Sequence, residues 1–382
     1  MFLNHGHKSE VSFSELLIYK LKTMGKVKES TTKLKSWSEI NKSRKEEKRK
    51  WKEINLKKKL QKQVEPQSSG EASTVPDPPK TVATVSIAVP GSILETAQTP
   101  ELRTYLAGQI ARAACMFQVD EIVVFDDYAD EANAKKATVE DEDGVRSIRD
   151  SCMQLGRILQ YLECPQYLRK HFFPIHAHLK YCGILNPLNA PHHLSKTDFF
   201  DYREGIVLNK TVKAGRGSLV NVGLLKEVQV DKLLSPGLRC TVRLLEETTK
   251  KWKGVIVPPS TPRADKGVYW GYVIRLANSL SKVFSQSPHK EGYDLTIGTS
   301  DKGTSVDEFA CPQFKHALIV FGGVEGLEFA LENDDVLEAD DPRLLFDHYL
   351  NSLPRQASKT IRTEEAILIT LAALRPKLQI NN

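Results

Sequence analysis

"SKTIRTEEAILITLAAL" (358–374) joins a polar entrance to an apolar helix close to the end of the chain. Ile367, Leu368, Ile369, Leu371, Ala372 and Leu374 place apolar groups around nearly the whole circumference, so this helix is expected to be buried on most sides. Its mouth carries Thr360, Arg362, Thr363, Glu364 and Glu365. Thr363 reads as an N-cap, and Glu364 and Glu365 suit the positive end of the helix dipole. A terminal helix of this kind needs a sheet to bury it, and its hydroxyl-rich entrance needs an edge to open on.

The segments upstream supply such a sheet. "LLFDHYLNS" (344–352), "KHALIVFGG" (315–323), "YDLTIGTS" (293–300), "DEIVVF" (120–125) and "TVATVSIAVPGSIL" (81–94) read as buried strands. Between them, Thr99 with Pro100 and Glu101 opens a helix that keeps Leu102, Leu106, Ile110 and Ala113 on one face. "VRSIRDSCMQLGRILQYLECP" (145–165) reads as a second amphipathic helix ended by Pro165, and "GYVIRLANSLSKVFSQ" (271–286) as a third. Alternating strands and helices predict an α/β fold with a parallel sheet.

From 198 to 265 the pattern changes. "YREGIVLN", "SLVNVGL", "KEVQV", "LRCTVRL" and "WKGVIVPP" follow one another with turn residues between them and no helical period. Five short strands in so few residues predict a small closed barrel of the OB type, inserted into the α/β domain. Lys210, Lys213, Arg216, Arg239, Arg243, Lys250, Lys251 and Lys253 favour RNA as its partner, against a barrel that only braces the domain or contacts protein. The predicted organisation is a basic tail and linker over 1–80, an α/β domain over 81–197 and 266–382, and the barrel over 198–265.

The net charge of +6 is unevenly spread. Residues 20–62 carry 17 Lys/Arg and 5 Asp/Glu, so the rest of the chain is mildly acidic. "NKSRKEEKRKWKEINLKKKLQKQ" (41–63) tolerates a solvated helix, and "VEPQSSGEASTVPDPPK" (64–80) reads as a disordered linker. The tail points to phosphate attraction with nuclear or nucleolar targeting; a merely soluble arm is the other reading. No apolar run is long enough to span a bilayer. The six cysteines show no C-x-x-C spacing and read as reduced thiols of a nuclear or cytosolic protein. His176, His178, His192 and His193 read as loop histidines rather than metal ligands.

Three loops share one character: "IGTSDKG" (297–303), "FGGVEGLE" (321–328) and "NSLPRQASKTIRTEE" (351–365) each leave an apolar strand and expose backbone through small or hydroxyl residues. Ligands of α/β sheets bind outside the carboxyl ends of strands, where glycine permits close approach to main-chain groups. None is a Walker loop, since G-K-[ST] is missing, so a nucleotide-phosphate enzyme built on "FGGVEG" is the weaker reading.

"VPGSIL…TPELRTYLAGQIARA…VDEIVVFD" (89–126), "ILQYLECPQYLRKHFFP" (158–174), "GYDLTIGTS" (292–300) and "IRTEEAILITLAAL" (361–374) resemble the SPOUT-domain-containing methyltransferases, S-adenosyl-L-methionine-dependent enzymes of the α/β-knot (class IV) group. The resemblance spans roughly residues 82–380. It implies a SPOUT α/β-knot, a C-terminal trefoil in which the final helix is threaded through a loop, with the inserted OB-like barrel and the basic tail. It implies a cofactor site at Gly298, Thr299 and Ser300, at Phe321, Gly322, Gly323 and Gly326, and at Asn351, Ser358, Thr360, Ile361 and Arg362, with Leu327 and Ile361 flanking the adenine. Such a methyl group is already activated, so the chemistry calls for alignment and proton removal rather than a metal. Asn351 and Arg103 are the candidates for orienting the target nucleotide, and Arg362 for holding RNA phosphate or steadying a negatively charged base.

The resemblance further implies a homodimer across the knot helices and base methylation of structured RNA, with relatives pointing to N3 of a large-subunit ribosomal RNA uridine. Nucleus or nucleolus and cytoplasm are the expected compartments. The alternative is an RNA-binding or scaffold protein of the mitotic spindle or kinetochore that retains the fold.

Overall fold

The computed structural model describes residues 83–128, 136–141, 144–212, 216–247, 252–337 and 339–378. The basic tail and linker predicted over 1–80 lie outside the described residues, as do Lys213, Lys250 and Lys251.

β-branched runs with both faces apolar make the sheet. It contains β1 (Thr84–Pro90), β2 (Glu121–Phe125), β10 (Val273–Ala277), β11 (Leu295–Ser305), β12 (His316–Val320) and β13 (His348–Asn351). Their order is β10-β2-β1-β12-β11-β13, and every neighbouring pair is parallel. Side chains alternate between the two sides of the sheet. Val85, Ile87, Val89, Ile122, Val124 and Ile319 belong to one core, and Ala88, Val123, Phe125, Leu318 and Val320 to another. Burial on both faces explains why these strands read as continuous apolar runs.

The first core is closed by α1 (Pro100–Met116), α2 (Asp150–Glu163) and the terminal α7 (Thr363–Leu378), and the second by the short α5 (Leu280–Ser285) and α6 (Gly326–Glu332). Thr99 caps α1 as expected, its hydroxyl accepting from the Leu102 N–H at 3.3 Å with Pro100 at the first helical position. Thr99→Ala should cost about 0.5–1 kcal/mol in a urea titration, the low end for a cap at this exposure.

Four expectations are corrected. Leu102 is 53% exposed, and α1 buries Leu106, Ala107, Ile110, Ala111, Ala113 and Ala114 instead. The predicted helix at 145–165 is strand β4 (Gly144–Arg149), paired antiparallel with β3 (Lys136–Asp141), followed by α2; beyond Pro165 a further helix, α3 (Gln166–Phe172), continues. The predicted helix at 271–286 is strand β10 followed by α5, because "VIRLA" is a short apolar run whose period fits either state. Finally, α7 is buried along one stripe, Ile367, Thr370, Leu371, Leu374 and Leu378, while Leu368 is 43% exposed and Ala372 faces outward. A stripe at this spacing is the mark of a helix lying on a surface.

Between α3 and the resumption of the sheet lie β5 (Tyr202–Val207), β6 (Leu219–Asn221), β7 (Val228–Gln229), β8 (Arg239–Glu247) and β9 (Trp252–Val257), followed by the short helix α4 (Thr261–Lys266). The strands form a closed barrel in the order β5-β6-β7-β9-β8, filled by Val207, Val220, Val222, Val228, Val230 and Val242. Its seam to the α/β part joins an apolar cluster of Cys164, Leu168 and Ile206 to a charged one. Arg239 on β8 donates to Glu163 of α2 at 2.7 and 3.0 Å and to Glu204 of β5 at 2.9 Å. Trp270 Nε1 and Thr241 Oγ1 also donate to Glu204, at 2.6 and 2.5 Å.

Candidate functional site

The sheet order places β12, β11 and β13 side by side, so the loops leaving their carboxyl ends converge. Together they wall a cavity of about 360 Å³. Thr299 and Ser300 come from β11, Phe321, Gly322, Gly323, Gly326 and Leu327 from the turn after β12, and Asn351, Thr360 and Ile361 from the segment between β13 and α7. Thr363, Ala366, Ile369 and Thr370 of α7 close it from the helix side.

Local chemistry holds each wall. Thr299 Oγ1 donates to the Val320 carbonyl at 3.0 Å, tying β11 to β12, while on its other side the register of β11 against β13 shifts between Thr299 and Thr304. Gly322 has no room for a side chain: a Cβ there would stand 2.7 Å from the Gly326 carbonyl carbon and 2.8 Å from Leu327 N. Gly326 adopts φ +83°, a conformation glycine takes without strain. The tight turn so formed brings Gly322, Gly323 and Gly326 to the cavity wall. Thr363 is the first residue of α7, and its hydroxyl donates to the Gly322 carbonyl at 3.0 Å. The expected cap is therefore corrected: Glu365 reaches back to accept from the Arg362 N–H at 3.0 Å, while Thr363 fastens the helix to the glycine turn.

Of the expected residues, Gly298, Ser358, Arg103 and Arg362 stand outside the lining. Gly298 lies beneath it, where a Cβ would meet Phe346 and Tyr349 at 2.5 to 2.7 Å. Ser358 donates to the Thr360 carbonyl at 2.7 Å and shapes the loop instead. Arg103 Nε donates to the Ala97 carbonyl at 3.2 Å, and Arg362 reaches Thr96 at 3.3 Å and Glu364 at 2.8 Å. Both arginines thus flank the turn after β1 rather than the cavity. Asn351 lines the cavity, but its amide donates to the Asp301 carbonyl and its oxygen accepts from Leu353 N–H, at 2.9 and 3.0 Å.

Sequence reasoning missed Asp301, Lys302, Glu328, Gln356 and Lys359 in the lining. Lys302 and Glu328 pair at 2.9 Å across the mouth. The polar "SDKG" immediately after the glycine-bearing strand was the available signal. The four histidines are occupied locally. Arg157 lies against His176 and His178, and the ring Nε2 atoms of His192 and His193 stand 2.9 and 2.7 Å from the Glu163 carbonyl. Among the described residues no group of three His, Cys, Asp or Glu side chains is placed to hold a metal ion, and no helix is long and apolar enough to cross a membrane.

A family model described as "Putative RNA methyltransferase" matches residues 84–374, from the start of β1 into α7 with the barrel included. The chain belongs to this SPOUT methyltransferase family. Three relatives carry the name 28S rRNA (uridine-N(3))-methyltransferase. The one from Drosophila melanogaster is 54% identical over 360 residues, spanning 90% of this chain and 73% of its own. Those from Mus musculus and Homo sapiens are 56% and 55% identical over 298 and 299 residues, spanning 77% of this chain and 77% and 78% of theirs. In this SPOUT chain the cavity, the glycine turn and α7 all fall within the matched residues.

Proposed function

We propose that this chain transfers a methyl group from S-adenosyl-L-methionine to N3 of a uridine in large-subunit ribosomal RNA. The observation that carries the proposal is the glycine-walled cavity at three adjacent strand ends of a SPOUT methyltransferase whose relatives bear that activity in their names. The cavity's size suits a small cofactor, and the crowding at Gly322 and the positive φ of Gly326 describe a cradle that added Cβ atoms would fill or strain. Bound there, the cofactor would supply a methyl group activated by its sulfonium.

The chain's own part is positioning. Phe321, Gly322, Gly323, Gly326 and Leu327 would hold the cofactor on one side, with Thr299 and Ser300 beneath and Thr360 and Ile361 across from them. Gly298 and Ser358 act one step behind, by shaping these walls. Asn351 holds the 301–303 turn against the 351–353 turn. Arg362 and Arg103, beside the turn after β1, suit RNA phosphate or a base carrying negative charge.

The finer architecture belongs to the same proposal. The domain boundaries, the OB-like character of the barrel and the trefoil threading of α7 are part of it. The barrel's strand order, with β7 and β9 parallel, supports OB character. A homodimer covering the outward face of α7, around Leu368 and Ala372, accounts for apolar groups that the single chain leaves outside. The barrel and the lysine-rich tail would grip RNA, in the nucleus or nucleolus and the cytoplasm.

Calorimetry of the purified protein with S-adenosyl-L-methionine should give one-to-one binding, and large-subunit RNA from cells lacking the protein should lose an N3-methyluridine by mass spectrometry. Absent binding would favour the scaffold reading. RNA affinity should fall steeply with salt, by about 1000-fold or more between 50 and 200 mM if six or more phosphates are contacted.

A further inference from the structure

The cavity at the strand ends opens to solvent, and those lining residues that are exposed mark its mouth. Among them are Asp301, Lys302, Val324, Glu325, Leu353 and Lys359. Two of these are aliphatic. Val324, in the glycine turn after β12, is 77% exposed, and Leu353, in the segment after β13, is 40% exposed. A single aliphatic side chain in water is ordinary, but two from different walls leave apolar surface around one opening. Both are carried on fixed backbone. The Gly326 N–H donates to the Gly323 carbonyl at 3.2 Å, closing the turn that holds Val324, and the Leu353 N–H donates to Asn351 Oδ1 at 3.0 Å.

The charges at the mouth divide by wall. Asp301 belongs to β11, and Glu325 and Glu328 to the segment after β12, where Glu328 holds Lys302 at 2.9 Å. These carboxylates suit a positively charged sulfonium cofactor. Lys359 comes from the third wall, the segment between β13 and α7, and is exposed. Among the described residues no salt bridge neutralises it. Gln356 Nε2 donates to the Ser358 carbonyl at 3.1 Å and Ser358 Oγ to the Thr360 carbonyl at 2.7 Å, so the backbone on either side of Lys359 is held. An uncompensated ammonium group at the opening favours a guest that develops negative charge.

We propose that Val324 and Leu353 clamp the target uracil at this mouth, and that Lys359 stabilises the ring in the ionised form that accepts the methyl group. The inference rests on the reading of the chain as a uridine N3 methyltransferase. Bases taken out of a stack are held between apolar or aromatic side chains. A uracil ring is flat, with a carbonyl oxygen on each side of N3. Loss of the N3 proton spreads negative charge onto both oxygens, and a nearby ammonium group favours that charged form. In the step, the N3–H bond breaks and its proton passes to solvent water. The electron pair left on nitrogen forms the bond to the methyl carbon, and the carbon–sulfur pair goes to sulfur, leaving a neutral thioether.

Variants of the full-length protein test this, with large-subunit RNA from cells lacking the protein as the methyl acceptor. Val324→Ser combined with Leu353→Ser should lower kcat/KM for the RNA about 10- to 50-fold through lost apolar contact. Calorimetric affinity for S-adenosyl-L-methionine should stay within about threefold. Both positions are exposed, so the melting temperature should hold, which separates a lost contact from a lost fold. The wild-type rate should climb with pH as N3 ionises. Removing the cation makes that ionisation harder, so Lys359→Gln should move the climb upward by about one pH unit, and Lys359→Arg, which keeps the charge, should restore it. An unmoved climb in Lys359→Gln, an RNA kcat/KM within about threefold of wild type in the double variant, or a cofactor affinity that falls in step with it would overturn the assignment. Failure of the wild-type protein itself to bind the cofactor would overturn the underlying reading instead.

Discussion

Gly322→Val is expected to weaken S-adenosyl-L-methionine binding by about 10- to 100-fold, the equivalent of the 1–3 kcal/mol that overpacking costs. The reason is local. A Cβ at residue 322 would press on the Gly326 carbonyl carbon, Leu327 N and Gly326 Cα, all within 2.9 Å and all backbone. Backbone cannot rotate aside, so the turn itself has to move, and Gly326 and Leu327 line the cavity. The same displacement strains the hydrogen bond from Thr363 to the Gly322 carbonyl, which seats α7. Calorimetry measures the loss directly. Ser358→Ala, which lies outside the lining, should change affinity by no more than about twofold, under 0.5 kcal/mol. Unimpaired binding by the Gly322→Val protein would remove the glycine turn from the cofactor site.

The second large effect concerns the seam between barrel and sheet. Arg239→Met should destabilise the protein by about 3–5 kcal/mol, because Glu163 and Glu204 remain buried and lose their shared cation. Against a typical total of about 5–15 kcal/mol this is severe. Its pH dependence has a definite sign. Burial pulls the Glu163 carboxyl upward, but hydrogen bonds from His192 and Arg239 outweigh it and hold the group at about 2, below the ordinary 4.5. A depressed carboxyl contributes stability above 4.5 that disappears as pH falls toward 2. The deficit of Arg239→Met should therefore be greatest near neutrality and shrink below about pH 4.5, as followed by chemical denaturation across pH. Adding Glu163→Gln should restore part of the loss, since the two residues are directly coupled. A deficit independent of pH would show that packing, and not charge, carries the seam.

These two effects differ in how far they could be read beforehand. Gly322 and its neighbours announced themselves, because a turn that exposes backbone has a local signature of glycine and hydroxyl residues directly after an apolar run. The bidentate contact of Arg239 with Glu163 did not: 76 residues separate them, and nothing in either segment marks its partner. In the sequence Arg239 is only one of several basic residues of the barrel. The hydrogen bond from Ser92 to Asp127, 35 residues away, was invisible for the same reason. Arg103 and Arg362 sit on the turn after β1, outside the cavity, because side-chain reach depends on which loops face each other.

Much of the local order was legible, although the strands at 144–149 and 273–277 read as helix. β-branched runs, the Thr99-Pro100 start of α1 and the glycine turns depend on interactions a few residues long, which the chain carries with it wherever it goes. The order β10-β2-β1-β12-β11-β13, the stripe along which α7 is buried, and the meeting of three distant loops in one cavity arise only when segments compete for the same partners in three dimensions. A parallel sheet pairs strands through long crossovers, so neither its order nor the clefts at its ends can be written into any single stretch of residues.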